Sequence, residues 1–202
     1  ALVHGTGHML LEHLKALALH QNVCGGDTYF WYSTTGWMMW NYALSSLLSG
    51  ATLCLYQGGP NYPDEDALWR FAKAAKINHF GGGVIYFQKQ MEHSSKFVQS
   101  MDFSFLKTIG STGSPLSAEV CQKLQMQFPK TQIISLSGGS DVCTAFVGGH
   151  TDMPVIPGEI QCKMLGAAVE VWSADGNSIA ETPGELVLTE PLLSMPLYLL
   201  GD

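Results

Sequence analysis

Two runs of small residues do most to limit what this chain can fold into: Gly110–Ser111–Thr112–Gly113–Ser114–Pro115–Leu116 and Ser137–Gly138–Gly139–Ser140–Asp141. Each follows an apolar, strand-like run, at residues 106–109 and 132–136. In an open α/β sheet, ligands bind outside the carboxyl ends of the strands, where the backbone is bare. Glycine in such a turn lets a flat base or a phosphate come close to the main chain. Ser140 and Asp141 add a hydroxyl and a carboxylate at the same place. Two such turns on successive strands point to a nucleotide site rather than to two unrelated loops.

Strand and helix patterns alternate through the first two-thirds of the chain. Leu10, Leu14, Leu17 and Ala18 recur at helical spacing over residues 8–20, and residues 28–32 read as a short, buried, aromatic strand. Residues 37–48 carry Trp37, Trp40, Leu44, Leu47 and Leu48, a helix apolar almost all round and so expected to be buried on several sides. A strand follows at residues 52–56. Pro63 and the acidic Asp64, Glu65 and Asp66 open the next helix, with Leu68, Phe71, Ala72 and Ala75 facing inward. A shorter helix covers residues 84–92, and Ser117 caps a helix running to Phe128. This alternation predicts an α/β fold with a mostly parallel sheet flanked by helices.

Beyond residue 142 the pattern changes to short strands, at residues 143–147, 158–162, 168–172 and 185–189. Ala174–Asp175–Gly176–Asn177 reads as a hairpin turn, since Asp–Gly supplies the positive φ such turns need. The expected organisation is an α/β unit over residues 1–141 and an antiparallel β portion over residues 142–202.

Apolar residues make up 46% of the chain and charged residues 13%, which suits a sheet covered on both faces or a piece of a larger molecule. The net charge of −7 argues against a nucleic-acid groove or an anionic membrane surface as partner. No apolar run approaches a membrane span, and no signal peptide is visible. Cys24, Cys54, Cys121, Cys143 and Cys162 form no paired motif and read as reduced, mostly buried thiols, which sets the cytoplasm as the expected location. His4, His8, His13 and His20 lack a clean ligand spacing and read as surface or capping residues. Asp102, Asp152, Asp175 and the run at 64–66 read as solvated loop carboxylates. No Gly-x-Ser-x-Gly elbow is present to suggest a serine hydrolase. The chain opens on Ala1 in a strand-like run and stops at Gly201–Asp202 after an apolar run, and it reads as an excised segment.

Along its length the chain resembles the adenylate-forming acyl-CoA synthetases. The resemblance is carried in order by Val3–His4–Gly5, Thr34–Thr35–Gly36–Trp37–Met38–Met39–Trp40–Asn41 and Leu55–Tyr56–Gln57–Gly58–Gly59–Pro60. It continues through the two small-residue turns with Val142–Cys143, then Pro157–Gly158–Glu159–Ile160–Gln161, Pro183–Gly184–Glu185–Leu186 and Gly201–Asp202. The ordered set, rather than any one motif, makes the resemblance specific.

It implies part of the large N-terminal domain of such an enzyme, and a two-step reaction. A carboxylate attacks the α-phosphate of ATP to give an acyl-adenylate and pyrophosphate, and the thiol of coenzyme A then displaces AMP. By resemblance, Gly113–Ser114–Pro115 packs against adenine, although acetyl-CoA synthetases carry an acidic residue at the position of Ser114. Gly138 and Gly139 complete the nucleotide-binding set. Ser140 contacts the α-phosphate, and Asp141 stands where the family usually has a glutamate bound to Mg²⁺. Asp202 matches the aspartate that takes the ribose hydroxyls. Trp37, Met38, Thr112 and Gly138 fall to the acyl pocket, and Met39 and Asn61 to coenzyme A. A phosphate loop ending in lysine is expected just before Ala1, and a lid with a catalytic lysine soon after Asp202.

At the position of Gly138, acetyl-CoA synthetases carry a bulky tryptophan. A glycine there is expected to open room for acetoacetate, with Thr112, Ser114 or a backbone N–H donating to its keto oxygen. The expected partners are therefore the small molecules acetoacetate, ATP and coenzyme A; no oligomeric state is implied. An acetate- or propionate-using ligase is the alternative within the fold. A non-catalytic nucleotide-binding module is the alternative outside it, but such a module has no need to keep Asp141 or the bare glycine turns.

Overall fold

Parallel strands joined by helices form the larger part of the molecule. The computed structural model describes residues 2–93 and 95–201. The chain runs through β1 (Leu2–His4), α1 (Thr6–Lys15), a π-helical turn over Ala16–His20, β2 (Thr28–Trp31), α2 (Met38–Leu44) and a 3₁₀ turn over Ser45–Ser49. It continues through β3 (Thr52–Leu53), α3 (Ala67–Ala75), β4 (His79–Gly83), α4 (Val84–His93), α5 (Lys96–Ser100), β5 (Thr108–Thr112), α6 (Ala118–Gln127) and β6 (Gln132–Ser135). Strands β2 to β6 make one five-stranded sheet in the order β3-β2-β4-β5-β6, with every neighbouring pair parallel.

The sheet is covered on both faces, as the apolar composition implies. On one face Phe30, Phe80 and Ile109 pack with Leu68, Trp69, Phe87 and Leu124 from the helices. Trp69 stacks on Phe80 with ring centroids 4.7 Å apart. On the other face Tyr29, Trp31 and Ile134 pack with Leu17, Met39 and Tyr42.

β4 sits inside this sheet although Gly81, Gly82 and Gly83 give it no strand signal. The reason lies on the neighbouring strand. A Cβ on Gly81 would overlap the Trp31 indole, and one on Gly110 would lie 2.6 Å from its Cζ3. The indole lies across β4 and β5, and only glycine leaves it room.

Ser117 caps α6 as expected, its hydroxyl accepting from the Val120 N–H at 3.3 Å. Other boundaries move. The strand expected at 52–56 shortens to β3, and the helix expected from Pro63 starts at Ala67, because residues 64–66 form a turn in which Asp64 Oδ1 accepts from the Asp66 N–H. α2 buries one side only, through Met39, Tyr42 and Ala43, while Leu44 at its end and Leu47 and Leu48 in the 3₁₀ turn that follows are exposed.

α1 departs most from its sequence pattern. Leu10, Leu11 and Leu14 are exposed, whereas Glu12 and His13 are buried, as is His20 in the following turn. Each buried polar group has a partner from a distant part of the chain. Thr144 Oγ1 donates to Glu12 Oε1 at 2.8 Å, and His13 Nε2 donates to the Cys143 carbonyl at 2.6 Å. His20 Nδ1 donates to the Gly149 carbonyl and its Nε2 accepts from the Leu165 N–H, both at 3.0 Å. His13 and His20 are therefore core residues, not the surface or capping residues expected from their spacing. A period of apolar residues cannot register a polar face whose partners lie far along the chain.

The remaining strands are antiparallel, as expected. β7 (Ser137–Gly139), β8 (Thr144–Gly148) and β9 (Cys162–Lys163) form one sheet; β10 (Val169–Trp172), β11 (Ser178–Ile179) and β12 (Glu185–Leu188) form another. β13 (Pro196–Leu199) pairs with β1. The β7–β8 pairing joins residues on both sides of the boundary expected near residue 142. Gly176, at φ 79°, makes the expected hairpin turn between β10 and β11.

All five cysteines are unpaired, but only Cys121 and Cys143 are buried; Cys54 and Cys162 are half-buried and Cys24 is exposed. Asp64, Asp102, Asp152 and Asp175 are exposed, as expected, but Glu65 and Asp66 are half-buried, because the turn that precedes α3 folds them inward. Among the described residues, no helix is long and apolar enough to cross a membrane.

Candidate functional site

Because β5 and β6 are parallel neighbours, their carboxyl ends reach the same edge of the sheet and their following turns meet there. Thr112 ends β5, and Gly113 turns the chain at φ 91°, a left-handed conformation that suits glycine. The Leu136 N–H donates to the Ser111 carbonyl at 2.9 Å, and Thr112 Oγ1 donates to the Leu136 carbonyl at 2.8 Å. These two bonds tie the turns together.

Between them lies a cavity of about 350 Å³. The first turn supplies Thr112, Gly113, Ser114 and Pro115, and the second supplies Ser137, Gly138, Gly139 and Ser140. Trp37, Met38, Met39 and Tyr42 from α2 and its N-terminal flank form the opposing wall. Ser135, Leu136, Thr144, Ala145 and Ile160 add the remainder. The volume is in the range of small-molecule sites, and the lining combines apolar walls with a few polar groups, as such sites do.

Most residues singled out from the sequence thus come together here. Asp141 is exposed beside Ser140, in the turn that joins β7 to β8. Met39 reaches the cavity but is 2% exposed and belongs to the core behind it, which places it on the inner wall rather than on an open coenzyme A surface. Asn61 does not join the cavity lining; it lies half-buried in the segment between β3 and α3. Asp202 falls outside the described residues.

The glycines do not behave alike. A Cβ on Gly138 would overlap the Thr144 carbonyl oxygen and lie 2.5 Å from the Ala145 Cα, so Gly138 offers the cavity its backbone and no direction for a side chain. The register shift between Ser137 and Gly138 in the β7–β8 pairing brings the two strands this close. A Cβ on Gly139 would meet only the Asp141 nitrogen and the Phe146 ring, each at 3.9 Å. The position open to a larger residue is therefore Gly139, not Gly138.

The hydroxyls expected to recognise a keto group are also partly committed. Thr112 donates to Leu136, and Ser114 Oγ donates to its neighbour, the Gly113 carbonyl, at 2.8 Å. Backbone N–H groups are the donors left from that expectation. Tyr42, Thr144 and Ala145 carried no sequence signal, and Ile160 appeared only within a motif of the resemblance, with no role at the site. Tyr42 was within reach of a signal, because it lies on α2 at i+3 and i+4 from Met39 and Met38. Its phenol is held protonated by burial, with Glu12 adding to the effect, and it accepts from Gln21 Nε2 at 3.1 Å. The Cys143 thiol, behind the second turn, is likewise pushed up by burial.

A family model described as AMP-binding enzyme matches residues 3–199. The acetoacetyl-CoA synthetase of Mus musculus is 37% identical over 202 residues, which cover all of this chain and 30% of that protein. The acetoacetyl-coenzyme A synthetase of Rhizobium meliloti (strain 1021) is 40% identical over 205 residues, covering 100% of this chain and 31% of that protein. The chain thus spans less than a third of the length of these curated relatives. Among solved structures, acetoacetyl-CoA synthetase from Streptomyces lividans superposes with a TM-score of 0.91 at 39% identity, over 97% of this chain and 31% of that one. The anthranilate CoA ligase AuaEII, solved in complex with anthranoyl-AMP, superposes with a TM-score of 0.80 at 14% identity, over 92% of this chain and 35% of that one, a likeness of fold alone.

Proposed function

Because the chain belongs to the AMP-binding enzyme family, we propose that the protein carrying it joins acetoacetate to coenzyme A at the expense of ATP. The reaction runs through an acetoacetyl-adenylate and releases pyrophosphate, then AMP. One observation carries this reading: both glycine-rich turns and the Trp37 wall surround a single cavity at the carboxyl edge of the parallel sheet. The relatives named acetoacetyl-CoA synthetase support the choice of acid.

In the first step, negative charge builds up on the α-phosphate oxygens, and fixed dipoles aimed at that charge lower the barrier. Ser140 offers an exposed hydroxyl there, and the bare glycine turns admit the nucleotide. Gly113, Ser114 and Pro115 hold the adenine, and Asp202 takes the ribose. Trp37, Met38 and Thr112 bound the acyl group, and the whole arrangement keeps the attacking carboxylate in line with the phosphorus. Coenzyme A is met by residues around Asn61, outside the cavity.

Asp141 suits magnesium. Its carboxylate is exposed next to Ser140, and among the described residues it makes no ion pair. Magnesium keeps several waters and is commonly held by one or two carboxylates together with substrate phosphates, so a single protein carboxylate is sufficient. When bound, the ion neutralises phosphate charge. The unpaired cysteines and the net charge of −7 support a cytosolic enzyme acting on small molecules.

The test is product analysis. The full-length protein, given acetoacetate, ATP, magnesium and coenzyme A, is expected to form acetoacetyl-CoA and AMP in equal amounts. ADP and phosphate as products, or a nucleotide that binds without turnover, would contradict the reading.

A further inference from the structure

α1 buries a carboxylate and an imidazole against the rest of the chain. Leu10, Leu11 and Leu14 face outward, while Glu12 and His13 are each 1% exposed. Burying a carboxylate and an imidazole costs more than burying leucines unless every polar atom is paired. Here the pairs are made to one place. His13 Nε2 donates to the Cys143 carbonyl at 2.6 Å, and Glu12 Oε1 accepts from Thr144 Oγ1 at 2.8 Å. A carbonyl only accepts, so Nε2 carries the hydrogen, while Nδ1 lies 2.8 Å from Ser45 Oγ, whose own hydroxyl also reaches the Asn41 carbonyl at 2.9 Å. The Tyr42 ring meets the imidazole edge-on at 5.3 Å and fixes its plane. Lys15 Nζ donates to Glu12 Oε1 at 2.7 Å and balances its charge.

Cys143 and Thr144 directly follow Ser140, Asp141 and Val142. Cys143 has φ 51°, a left-handed conformation that a non-glycine residue adopts at a cost, and its N–H closes a turn on the Ser140 carbonyl at 3.2 Å. The turn carrying Ser140 and Asp141 is thus strained, exposed at its tip and anchored at its base. We infer that His13, with Glu12, is a positioning residue for adenylate formation: from α1 it grips the base of the turn and sets where Ser140 and Asp141 point. Neither side chain lines the cavity. The buried polar face of α1 serves the placement of that turn, as supporting hydrogen bonds do around metal ligands.

The inference rests on reading Ser140 and Asp141 as the phosphate-side pair, and the experiment separates the two claims. In the full-length enzyme, His13→Leu removes the donor at similar bulk, and His13→Gln restores an N–H near the position of Nε2. Acetoacetate-dependent pyrophosphate exchange reports adenylation, and thiolysis of supplied acetoacetyl-adenylate reports the second step. Supporting hydrogen bonds of this kind are worth about 10–100-fold, so His13→Leu is expected to lose that much kcat in exchange, with thiolysis little changed. His13→Gln is expected to recover most of the loss, although both variants lose the Ser45 contact and melt at similar temperatures. In an Asp141→Asn background, His13→Leu is expected to cost less than it does in the wild type, since only the placement of Ser140 is left to lose.

Exchange near wild type in His13→Leu overturns the inference alone. So does an equal loss in both His13 variants that tracks their melting temperatures, or a loss that multiplies with that of Asp141→Asn. Normal exchange in Asp141→Asn overturns the reading of the turn, and the inference with it. If His13→Leu does not fold, His13→Asn, too short to reach Cys143, takes its place with the same expected outcomes.

Discussion

The Thr112 hydroxyl donates to the Leu136 carbonyl across 2.8 Å, so the residue that ends β5 holds the residue that follows β6. This bond makes one site of two turns. Thr112→Val keeps the shape but leaves the Leu136 carbonyl without that donor. A half-buried carbonyl so deprived costs about 1–3 kcal/mol, and Thr112→Ser should cost much less. Urea unfolding of the three proteins checks the difference, and equal midpoints for valine and threonine would count against the bond.

Substrate size is expected to be set at Gly139. A Cβ there meets nothing closer than 3.9 Å, whereas one on Gly138 collides with β8. Gly139→Trp should lower kcat/KM for acetoacetate by about 10–200-fold while sparing acetate, the range that steric discrimination in a pocket supplies. Gly138→Trp should instead disturb the β7–β8 pairing and lower stability. Paired kinetics and melting curves for both variants distinguish the two glycines.

Asp141→Asn is expected to reduce pyrophosphate exchange by orders of magnitude with no change in melting temperature, because an amide binds magnesium poorly and the side chain is exposed. Raising magnesium should recover part of the loss. A rate that ignores both the substitution and the metal concentration removes Asp141 from the site.

Stability should fall as the solution is made acidic. Burial holds His13, His20 and His79 below the ordinary imidazole value, outweighing partners that pull the other way, such as the Cys143 carbonyl, the Gly149 carbonyl and Asp27. With a folded pKa below the unfolded value of about 6.5, each histidine contributes stability above that pH and loses it as pH drops through the folded value. Asp27 acts in the same direction at lower pH. Burial opposes its ionisation, but Lys107, His79 and the Cys24 N–H together hold it below the usual carboxylate value. Urea midpoints from neutral pH downward should fall, and His20→Gln should flatten the first part of that fall. A flat profile through the histidine range would contradict the buried, neutral assignment.

The site was more legible in the sequence than the frame that holds it. Glycine and serine after an apolar run mark a bare strand end by local chemistry alone, which is why residues 112–115 and 137–140, expected at one edge of the sheet, line one cavity there. Ser117 announced its helix for the same local reason. β4 was invisible because Gly81 answers to the Trp31 indole rather than to strand propensity. The buried face of α1 was invisible because the partners of Glu12 and His13 lie at residues 143 and 144, and periodicity reads only what is apolar. Gly138 was recognised as part of the site, but the register shift in β7 that turns its Cβ direction away from the cavity leaves no mark in the sequence.

The central claim is that this cavity activates acetoacetate on ATP. Acid-dependent pyrophosphate exchange by the full-length enzyme tests it without help from the second step. With acetoacetate, acetate and propionate compared at equal concentration, the account predicts that kcat/KM is highest for acetoacetate, and that the order reverses in Gly139→Trp. Exchange that is fastest with acetate in the wild type, or that needs no added acid, would contradict it.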